Sequence, residues 1–374
     1  MLDAGRHPNI DILAYSEIES VKGEVGAFSV TVKKKARFVK ADVCNACGDC
    51  AAKCPRKVGD EFDMKLKDRR AIYLYFAQGI PAVMTIDKDN CTFFEKGKCR
   101  LCERVCQKGA IDFEQKDETL ELSVGAIIVA TGLDVFDPTP LTQYGYGRIK
   151  NVITGLEYER LINATGPTGG HLYRPSDKTL AKKVAYLQCV GSRDLNYCKY
   201  CSSVCCMYAI KDAMLAREHD PEAVSYIFHT DFRNVGKWFQ DYEIKGREIY
   251  GINYVRGRVA EVEEDKSGNP IVWYEDTRKR EVKSLKVDLV VLSAAATAAK
   301  GSDRLAEILD IRLDENRFVS VGDREPADTS RPGIFACGFC NGPCDIPEAV
   351  SQASAAAMRA AEMVLPEVSV ASGS

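Results

Sequence analysis

The sequence has no long apolar run and no excess of either charge. Its longest apolar stretches, such as 126–130 and 289–299, suit buried strands and fall short of the ~18 residues that a membrane-spanning helix needs. No basic segment followed by an apolar one marks a secretory leader. The 51 basic and 54 acidic residues leave a net charge of −3, which argues against nucleic acid as a main partner. We therefore expect neither a transmembrane segment nor a nucleic-acid-binding protein, and 374 residues suffice for two or three domains.

A second absence concerns glycine-rich loops. No G-x-G-x-x-G motif follows any predicted strand, although this loop normally holds the pyrophosphate of FAD or NAD(P)H at the start of a helix. The predicted strand 184–187 is followed by Gln188-Cys189-Val190-Gly191, with a cysteine where the first glycine would stand. The sequence therefore predicts that this half of the chain does not bind NAD(P)H.

Cysteine, in contrast, is abundant, with sixteen residues in four groups. The first group reads C-x2-C-x2-C-x3-C-P, the pattern with which bacterial ferredoxins bind a [4Fe–4S] cluster. Zinc sites usually separate two C-x2-C pairs by a longer gap. This favours an iron–sulfur cluster over a zinc knuckle, on the ligands Cys44, Cys47, Cys50 and Cys54.

The second group keeps the C-x2-C-x3-C spacing but has seven residues after its first cysteine. Taken alone it could be a site that has lost its cluster. Together, residues 41–112 resemble a two-cluster ferredoxin module, in which the fourth cysteine of each run ligates the other cluster. We therefore predict that Cys54 joins the second cluster and Cys106 the first. The second group consists of Cys91, Cys99, Cys102 and Cys106.

Strand patterns lie on both sides of this module. Residues 9–16 and 27–33 alternate apolar and polar side chains and predict a hairpin or a meander, and the alternation resumes at 119–123. The module therefore has the position of an insertion in a β-rich domain. Residues 133–182 are rich in turn residues and predict a linker.

The rest of the chain alternates predicted strands and helices. A βαβ unit is predicted from strand 184–189, helix 204–218 and strand 224–229. A hairpin-like stretch, 253–264 and 271–274, leads to a buried strand at 287–292. The last predicted elements are the strand 333–336 and the alanine-rich helix 347–364.

This succession resembles the two-dinucleotide-domain flavoproteins of the thioredoxin reductase group, an α/β fold. The resemblance implies that small residues at the end of one strand lie against FAD. It also implies that a late strand leads into a helix whose N-terminus points at the flavin ring, where it would stabilise negative charge. The expected FAD contacts are Ala130, Thr131, Gly132, Gly338, Pro347 and Glu348.

A more specific resemblance is to the iron–sulfur flavoprotein subunit of heterodisulfide reductase. It rests on the runs 188–194 and 201–211, on Tyr144-Gly145-Tyr146-Gly147, on 166–170 and on Gly342-Pro343 with 345–348. The resemblance implies that Lys211 lies near the flavin N5 as a catalytic and cofactor-binding residue, because a cation there would stabilise a reduced flavin. It also implies a third [4Fe–4S] cluster on the ligands Cys189, Cys201, Cys205 and Cys206.

The same resemblance implies a domain plan. Residues 1–40 would be part of an FAD domain, 41–112 an inserted ferredoxin domain, and 113–180 the continued FAD domain with a linker. Residues 181–300 would form a degenerate nicotinamide-type domain with a cluster, and 301–374 would return to the FAD domain. In such proteins the FAD phosphate loop precedes the first hairpin. We therefore expect a truncated or split chain, with a separate chain supplying that loop.

The function implied is electron transfer between a flavin and [4Fe–4S] clusters in a cytoplasmic, anaerobic heterodisulfide-reductase-like complex, with flavin-based electron bifurcation to ferredoxin. Its partners would be the other subunits, a hydrogenase or formate dehydrogenase module, and ferredoxin. One alternative is a flavin-free iron–sulfur relay or scaffold. Another is an NAD(P)H-dependent disulfide reductase using Cys198 and Cys201, which the missing nucleotide loop disfavours. Cysteines 198, 337, 340 and 344 stay open between spare thiols and a fourth cluster.

Overall fold

The computed structural model describes residues 2–364, which fall into two compact units divided between Ala126 and Ile127. We call them the N-terminal unit and the C-terminal unit. Over the described residues, no helix combines the length and the apolar character needed to cross a bilayer.

The N-terminal unit consists of short elements. In chain order they are α1 (Leu2–Arg6), β1 (Ser16–Lys22), β2 (Phe28–Lys34), α2 (Asp49–Lys53), β3 (Lys57–Gly59), β4 (Asp68–Arg70), β5 (Ile72–Tyr73), β6 (Thr85–Ile86), a 3₁₀ helix (Lys88–Asn90), α3 (Thr92–Lys96), α4 (Leu101–Val105) and β7 (Glu118–Val124).

A three-stranded antiparallel sheet, in the order β1-β2-β7, connects the two ends of this unit. Strand β2 pairs with β7 from Phe28 opposite Val124 to Lys34 opposite Glu118. Phe28, Val30 and Val32 are buried, so the alternation seen in the sequence is the inward face of this strand. The strands before and after the cysteine-rich segment therefore pair with each other, as an insertion requires.

One strand prediction was wrong at its start. Residues 9–14 form no strand and are exposed or half-buried, and β1 begins only at Ser16. The physical reason is pairing: β2 and its turn provide partners for residues 16–22 alone, and an alternating segment without a partner gains no ladder of hydrogen bonds.

Within the cysteine-rich segment, small strand pairs and aromatic rings form the core. Strands β3–β4 and β5–β6 form two antiparallel pairs, and an isolated bridge joins Val39 to Ile111. The rings of Phe93 and Phe113 lie 4.1 Å apart between centroids. The same core includes Cys50, so cysteine side chains are part of the packing of this segment.

The C-terminal unit holds the longer elements. In chain order they are β8 (Ile127–Val129), β9 (Leu133–Val135), a 3₁₀ helix (Thr142–Tyr144), β10 (Val152–Thr154), α5 (Gly155–Ile162), β11 (Lys183–Val190), α6 (Cys205–His219), β12 (Val224–His229), α7 (Phe239–Glu248), β13 (Asn253–Arg256), β14 (Val259–Glu264), β15 (Pro270–Asp276), β16 (Glu281–Lys286), β17 (Leu289–Ala294), β18 (Ala296–Ala298), α8 (Ser302–Leu309), β19 (Ile334–Ala336), a second 3₁₀ helix (Gly338–Asn341) and α9 (Ile346–Val364).

A five-stranded parallel sheet in the order β10-β17-β11-β12-β13 organises this unit. Every residue of β17 is buried, as expected for a parallel strand covered on both faces. The predicted βαβ unit is confirmed as β11-α6-β12. The α/β class predicted from the sequence is therefore confirmed.

The predicted hairpin-like stretch is divided between two sheets. Residues 253–256 form β13 and pair in parallel with β12, whereas β14, β15 and β16 form a separate antiparallel sheet. The apolar and polar alternation of residues 253–264 does not indicate this division. Tertiary contacts, and not the alternation alone, determine which strand pairs with which.

A short parallel pair, β8 and β19, positions the candidate flavin contacts. It runs from Ile127 opposite Ile334 to Val129 opposite Ala336. Helix α9 follows, and a capping box fixes its start: the Glu348 amide donates to Asp345 Oδ1 at 2.8 Å, and the Asp345 amide donates to Glu348 Oε2 at 2.9 Å. The turn after β8 and the turn after β19 therefore lie side by side.

Candidate functional site

The eight cysteines of the cysteine-rich segment surround two separate cavities. Each cavity is lined by three cysteines of one run and by the fourth cysteine of the other run. The first is lined by Cys44, Cys47, Cys50 and Cys106, and the second by Cys54, Cys91, Cys99 and Cys102. This crossed arrangement is the one that a two-cluster ferredoxin module requires.

The two cavities are built alike. Cys50 lies in α2 and Cys102 in α4, each a five-residue helix that ends at the crossing cysteine. Burial raises the pKa of the Cys50 thiol to about 11 and that of Cys102 to about 12. A thiolate there needs a nearby cation for compensation, which iron supplies when it is bound.

Backbone amides point at some of these sulfurs. The Ala46 amide donates to Cys44 Sγ at 3.4 Å, and the Ala110 amide donates to Cys106 Sγ at 3.4 Å. Hydrogen bonds to cysteine sulfur stabilise negative charge and help to set the potential of an iron–sulfur cluster.

The spacing of the thiols disfavours a single metal ion. In the part of the chain that the structure describes, no three His, Cys, Asp or Glu side chains converge closely enough to hold one ion. Zinc, by comparison, needs its thiolates at ~2.3 Å from a common point. Cysteines that surround a space without converging fit a multi-iron cluster.

A third group of cysteines lies at the carboxyl end of β11 and the start of α6. Cys189 has a left-handed φ of 61° at the irregularity in the pairing of β11 with β17, and its thiol interacts electrostatically with Cys201. Burial, together with the neighbouring thiols, raises the pKa of Cys205 to about 12 and that of Cys206 to about 11. All four predicted ligands of the third cluster are therefore neighbours in space.

Donors also face this third group. The Arg193 guanidinium lies 4.0 Å from Cys189 Sγ and is ion-paired with Asp231. Backbone amides of Ser203 and Arg233 donate to Cys201 Sγ and Cys206 Sγ, both at 3.4 Å. The residues present fit a cubane cluster, since its ligands are grouped and their charge is partly compensated.

The predicted flavin contacts after β8 and β19 are neighbours as well. The Cys337 amide donates to the Val129 carbonyl at 3.0 Å, and the Gly338 amide donates to Gln352 Oε1 at 2.8 Å. Gly132 has φ 72°, and a Cβ built on it would meet no protein atom within 4 Å. Ala130 and Thr131 are exposed. These small residues leave open space beside the strand end, which fits the approach of a flat ring.

The start of α9 meets the third cysteine group. Pro347 and Glu348 line a cavity of about 410 Å³ together with Cys201, Met207 and Arg233. The helix start that the resemblance places at the flavin ring is therefore next to the cysteines that it assigns to the third cluster. Residues expected to contact the flavin and a residue expected to bind the third cluster therefore line the same cavity.

Lys211 does not line that cavity, as far as the described residues define it. Its ammonium is ion-paired with Glu159 and lies 3.1 Å from Asp212 Oδ1. Burial opposes its charge, but Asp212 and Glu159 outweigh burial and raise the pKa of Lys211. Its role toward a flavin stays a prediction, and as placed here its charge is neutralised by carboxylates.

Sequence reasoning missed Glu159 and Asp212. Asp212 is fully buried, and the hydroxyl of Tyr158 donates to its backbone carbonyl at 2.9 Å. Glu159 is on α5, far from Lys211 in the sequence, and no motif connects the two. The one sequence signal that could have indicated a buried ion pair is that Lys211 and Asp212 are adjacent.

The remaining cysteines make ordinary contacts. Cys337, Cys340 and Cys344 are buried, and the Cys340 thiol lies 3.2 Å from the Val129 carbonyl oxygen. Cys198 is a hydrogen-bond partner of Tyr200 and helps to raise the pKa of that tyrosine. These contacts suit thiols, and a fourth cluster gains no support from them.

Comparison with known proteins finds relatives over nearly the whole chain, although no family model matches. The chain is 44% identical over 361 residues to an iron–sulfur subunit of the CoB–CoM heterodisulfide reductase of Methanocaldococcus jannaschii, which covers 96% of this chain and 54% of that protein. It is 47% identical over 365 residues to an iron–sulfur subunit of the same enzyme in Methanopyrus kandleri, with coverage of 96% and 55%. The chain spans about half the length of the curated relatives it matches.

A third relative belongs to the H(2):CoB-CoM heterodisulfide,ferredoxin reductase of Methanothermobacter thermautotrophicus. This subunit is 41% identical over 374 residues, covering 99% of this chain and 56% of that protein. Among solved structures, thioredoxin reductase of T. acidophilum aligns with 17% identity and a TM-score of 0.40, over 66% of this chain and 68% of that one. Thioredoxin reductase of Lactococcus lactis aligns with 17% identity and a TM-score of 0.42, over 79% and 85%.

Proposed function

Because the chain belongs to the family of iron–sulfur subunits of heterodisulfide reductases that these relatives represent, we propose that it is an electron-transfer subunit of a heterodisulfide-reductase-like complex and thus part of an oxidoreductase. The observation that carries this proposal is the pair of cavities, each lined by four cysteines contributed by both runs.

The cysteines divide into three ligand sets in this proposal. The first cluster is held by Cys44, Cys47, Cys50 and Cys106, the second by Cys54, Cys91, Cys99 and Cys102, and the third by Cys189, Cys201, Cys205 and Cys206. Iron–sulfur clusters pass single electrons when they are bound. The chain contributes buried thiols, amide donors and the Arg193–Asp231 pair, which fix the ligands and adjust their charge.

FAD would lie against the small residues after β8 and β19 and near the start of α9. FAD, when bound, exchanges electron pairs with two-electron donors and single electrons with clusters. The proposed contacts are Ala130, Thr131, Gly132, Gly338, Pro347 and Glu348, with Lys211 as the cation toward N5. The FAD phosphates would need a glycine-rich loop at the start of a helix, and residues 1–374 contain no G-x-G-x-x-G motif.

The partners proposed are the other subunits of such a complex, a hydrogenase or formate dehydrogenase module, and ferredoxin. Names of the relatives mention hydrogen, formate and ferredoxin. We place electron bifurcation, with ferredoxin as the low-potential acceptor, among the proposed activities. We place the protein in a reducing cytoplasm, because none of the sixteen cysteines, all of which lie within residues 2–364, forms a disulfide.

Iron and FAD per chain test this proposal directly. The protein would be prepared anaerobically, alone and co-expressed with candidate partner subunits. About twelve irons and one FAD per chain are expected when partners are present, since three cubanes hold about four irons each. About eight irons and no FAD under both conditions would contradict both the third cluster and the flavin site. About sixteen irons would instead make the remaining cysteines ligands.

A further inference from the structure

The surface beside the second cysteine cavity carries an excess of positive charge. Residues 53–57 and 88–104, which contribute the four cysteines of that cavity, contain eight basic and three acidic side chains, whereas the whole chain has a net charge of −3. All eight basic side chains are exposed. The ligand sets proposed above give this charge no role.

Contacts between the two segments bring part of this charge to the edge of the cavity. Arg56 lines the cavity, and its guanidinium lies 3.3 Å from Glu95 Oε2, on α3. Lys96 is the last residue of α3, and Lys98 and Arg100 flank one of the lining cysteines. We call Arg56, Lys96, Lys98 and Arg100 the basic rim.

The irregular gap in the second cysteine run builds half of this rim. Its seven residues, between Cys91 and Cys99, form α3 and a turn at Gly97, whose left-handed φ of 64° ends the helix. The insertion therefore adds Lys96 and Lys98 to the surface next to Cys99.

Carboxylates neutralise only part of the charge. Glu95 is shared by Arg56 and Lys96, at 3.3 and 3.7 Å, and Glu103 pairs with Arg100 at 2.7 Å. Within residues 2–364, four basic side chains of the two segments form no ion pair: Lys53, Lys57, Lys98 and Arg104. This part of the surface therefore stays positive on a chain that is acidic as a whole.

The first cavity is different in charge. Its charged lining residues are Asp49 and Lys108, and the other polar side chains in its lining are the neutral Asn45 and Gln107. The two opposite charges cancel. A charged partner would therefore distinguish the second cavity from the first.

Apolar atoms accompany the basic rim. Leu101 lines the second cavity and is 39% exposed, and Pro55, which also lines it, is exposed as well. Protein interfaces commonly combine an apolar centre with a polar, solvent-accessible rim. The second cavity thus has the parts of a docking surface next to the proposed cluster.

We propose that the basic rim docks a small acidic protein that carries single electrons, and that the second cavity, not the first, is where this protein binds. The inference rests on the proposed electron-transfer function and adds to it the face and the charge of the contact. Complementary charge speeds association and selects the partner. Because exposed charges are screened by salt, the complex should be weak enough at physiological ionic strength for the carrier to leave.

The test is binding of an oxidised, acidic bacterial two-cluster ferredoxin to the iron-loaded full chain, by isothermal titration calorimetry without oxygen. At low ionic strength we expect one ferredoxin per chain, with an affinity that falls at least tenfold when salt is raised to about 0.5 M. Lys96→Glu combined with Lys98→Glu should weaken binding at least tenfold at low salt and have little effect at high salt.

Lys40→Glu combined with Lys108→Glu is the matched control. Both lysines are exposed and belong to the surroundings of the first cavity, since the Lys40 carbonyl accepts from the Cys44 amide and Lys108 is a lining residue. This double change alters the net charge of the chain by the same amount. It should weaken ferredoxin binding less than twofold.

Cross-linking gives a measurement that needs no variant. A carbodiimide joins lysines to carboxylates in direct contact, so mass spectrometry of the parent complex should find the ferredoxin attached to Lys96 or Lys98. Attachment to Lys40 or Lys108 instead would overturn the proposal.

Three results of the titration would also overturn it. Equal weakening by the two double variants would mean that only total charge matters. Single-stranded DNA that binds as tightly as the ferredoxin would mean that the rim attracts any polyanion. No ferredoxin binding to a chain with full iron content would refute the docking surface, while the iron and FAD contents that test the proposed function would stand unchanged.

Discussion

Cys54 and Cys106 are the residues on which the proposed two-cluster arrangement depends. Each lies at the end of a five-residue helix next to its own run, yet each lines the cavity of the other run. The exchange links the two cavities covalently through the backbone. Loss of one of these cysteines should therefore affect the cavity that is distant in sequence.

We predict that Cys106→Ser removes the cluster of Cys44, Cys47 and Cys50, with a loss of about four irons per chain. Iron analysis and electron paramagnetic resonance of the reduced protein would measure this. Cys198→Ser, which changes a cysteine outside the three sets, should keep the full iron content. Equal iron contents in the two variants would show that Cys106 is not a cluster ligand.

His229 gives a prediction about pH. Burial, helped by Arg278 and Arg256, lowers its pKa from 6.5 to about 4. In the unfolded chain this histidine keeps a pKa near 6.5, so it is protonated first in the unfolded state as the pH falls. The contribution of His229 to the free energy of unfolding is therefore fully present above about pH 6.5 and is lost as the pH falls toward 4.

His229→Phe should therefore reduce the decrease in melting temperature between pH 7 and pH 5. The measurement is thermal unfolding followed by circular dichroism under anaerobic conditions. His7→Phe is the control, because His7 is exposed. If both variants keep the pH dependence of the parent chain, the depressed pKa of His229 does not contribute to it.

Helix α5 shows how a short element is fixed by its first turn. The Thr154 hydroxyl accepts from the Glu157 amide at 3.3 Å, and the Thr154 amide donates to Glu157 Oε2 at 2.6 Å. This capping box joins β10 of the parallel sheet to a helix that carries Glu159, the partner of Lys211. The cap therefore supports the position of a carboxylate at the candidate site.

Thr154→Ala should lower the free energy of unfolding by about 1 kcal/mol, the usual cost of losing an N-cap. Thermal unfolding would show this as a decrease of a few degrees. Thr119→Ala, an exposed threonine on β7, is expected to stay within about 0.5 kcal/mol of the parent chain. A cost for Thr154→Ala no greater than that for Thr119→Ala would show that the box adds nothing to stability.

At the scale of the whole molecule, the two units differ in what forms their cores. The core of the C-terminal unit comes from apolar strands, above all β11 and β17. In the N-terminal unit, by contrast, Cys50 belongs to the core and Cys44, Cys54, Cys91, Cys102 and Cys106 pack against it. Iron that bridges these thiols would cross-link that core.

Oxidative removal of iron with ferricyanide and a chelator should therefore destabilise the N-terminal unit selectively. Differential scanning calorimetry is expected to show a new transition at lower temperature, while the transition of the parallel sheet stays near its original position. Cluster reconstitution should restore the original profile. A chelated protein that unfolds like the iron-loaded one would show that the clusters do not support the fold.

The grouping of the cysteines around two cavities could be predicted because its information is local. The spacing of Cys44, Cys47 and Cys50 is set within a few residues, and the pattern of the two runs indicated that Cys54 and Cys106 exchange places. The βαβ unit was likewise readable from buried strands around α6. Strand 9–16 was placed wrongly, because pairing depends on partners that a local pattern does not contain.

The sequence by itself determined how the cysteines are grouped and the α/β character of the C-terminal unit, since these depend on residue type and short spacings. The tertiary structure decided which groups meet. It brought Glu159 and Asp212 to Lys211 and placed Pro347 beside Cys201. It also left Nδ1 of His229 buried without a hydrogen-bond partner among residues 2–364. Such contacts join residues far apart in the chain, and they form only when strands and helices pack into one core.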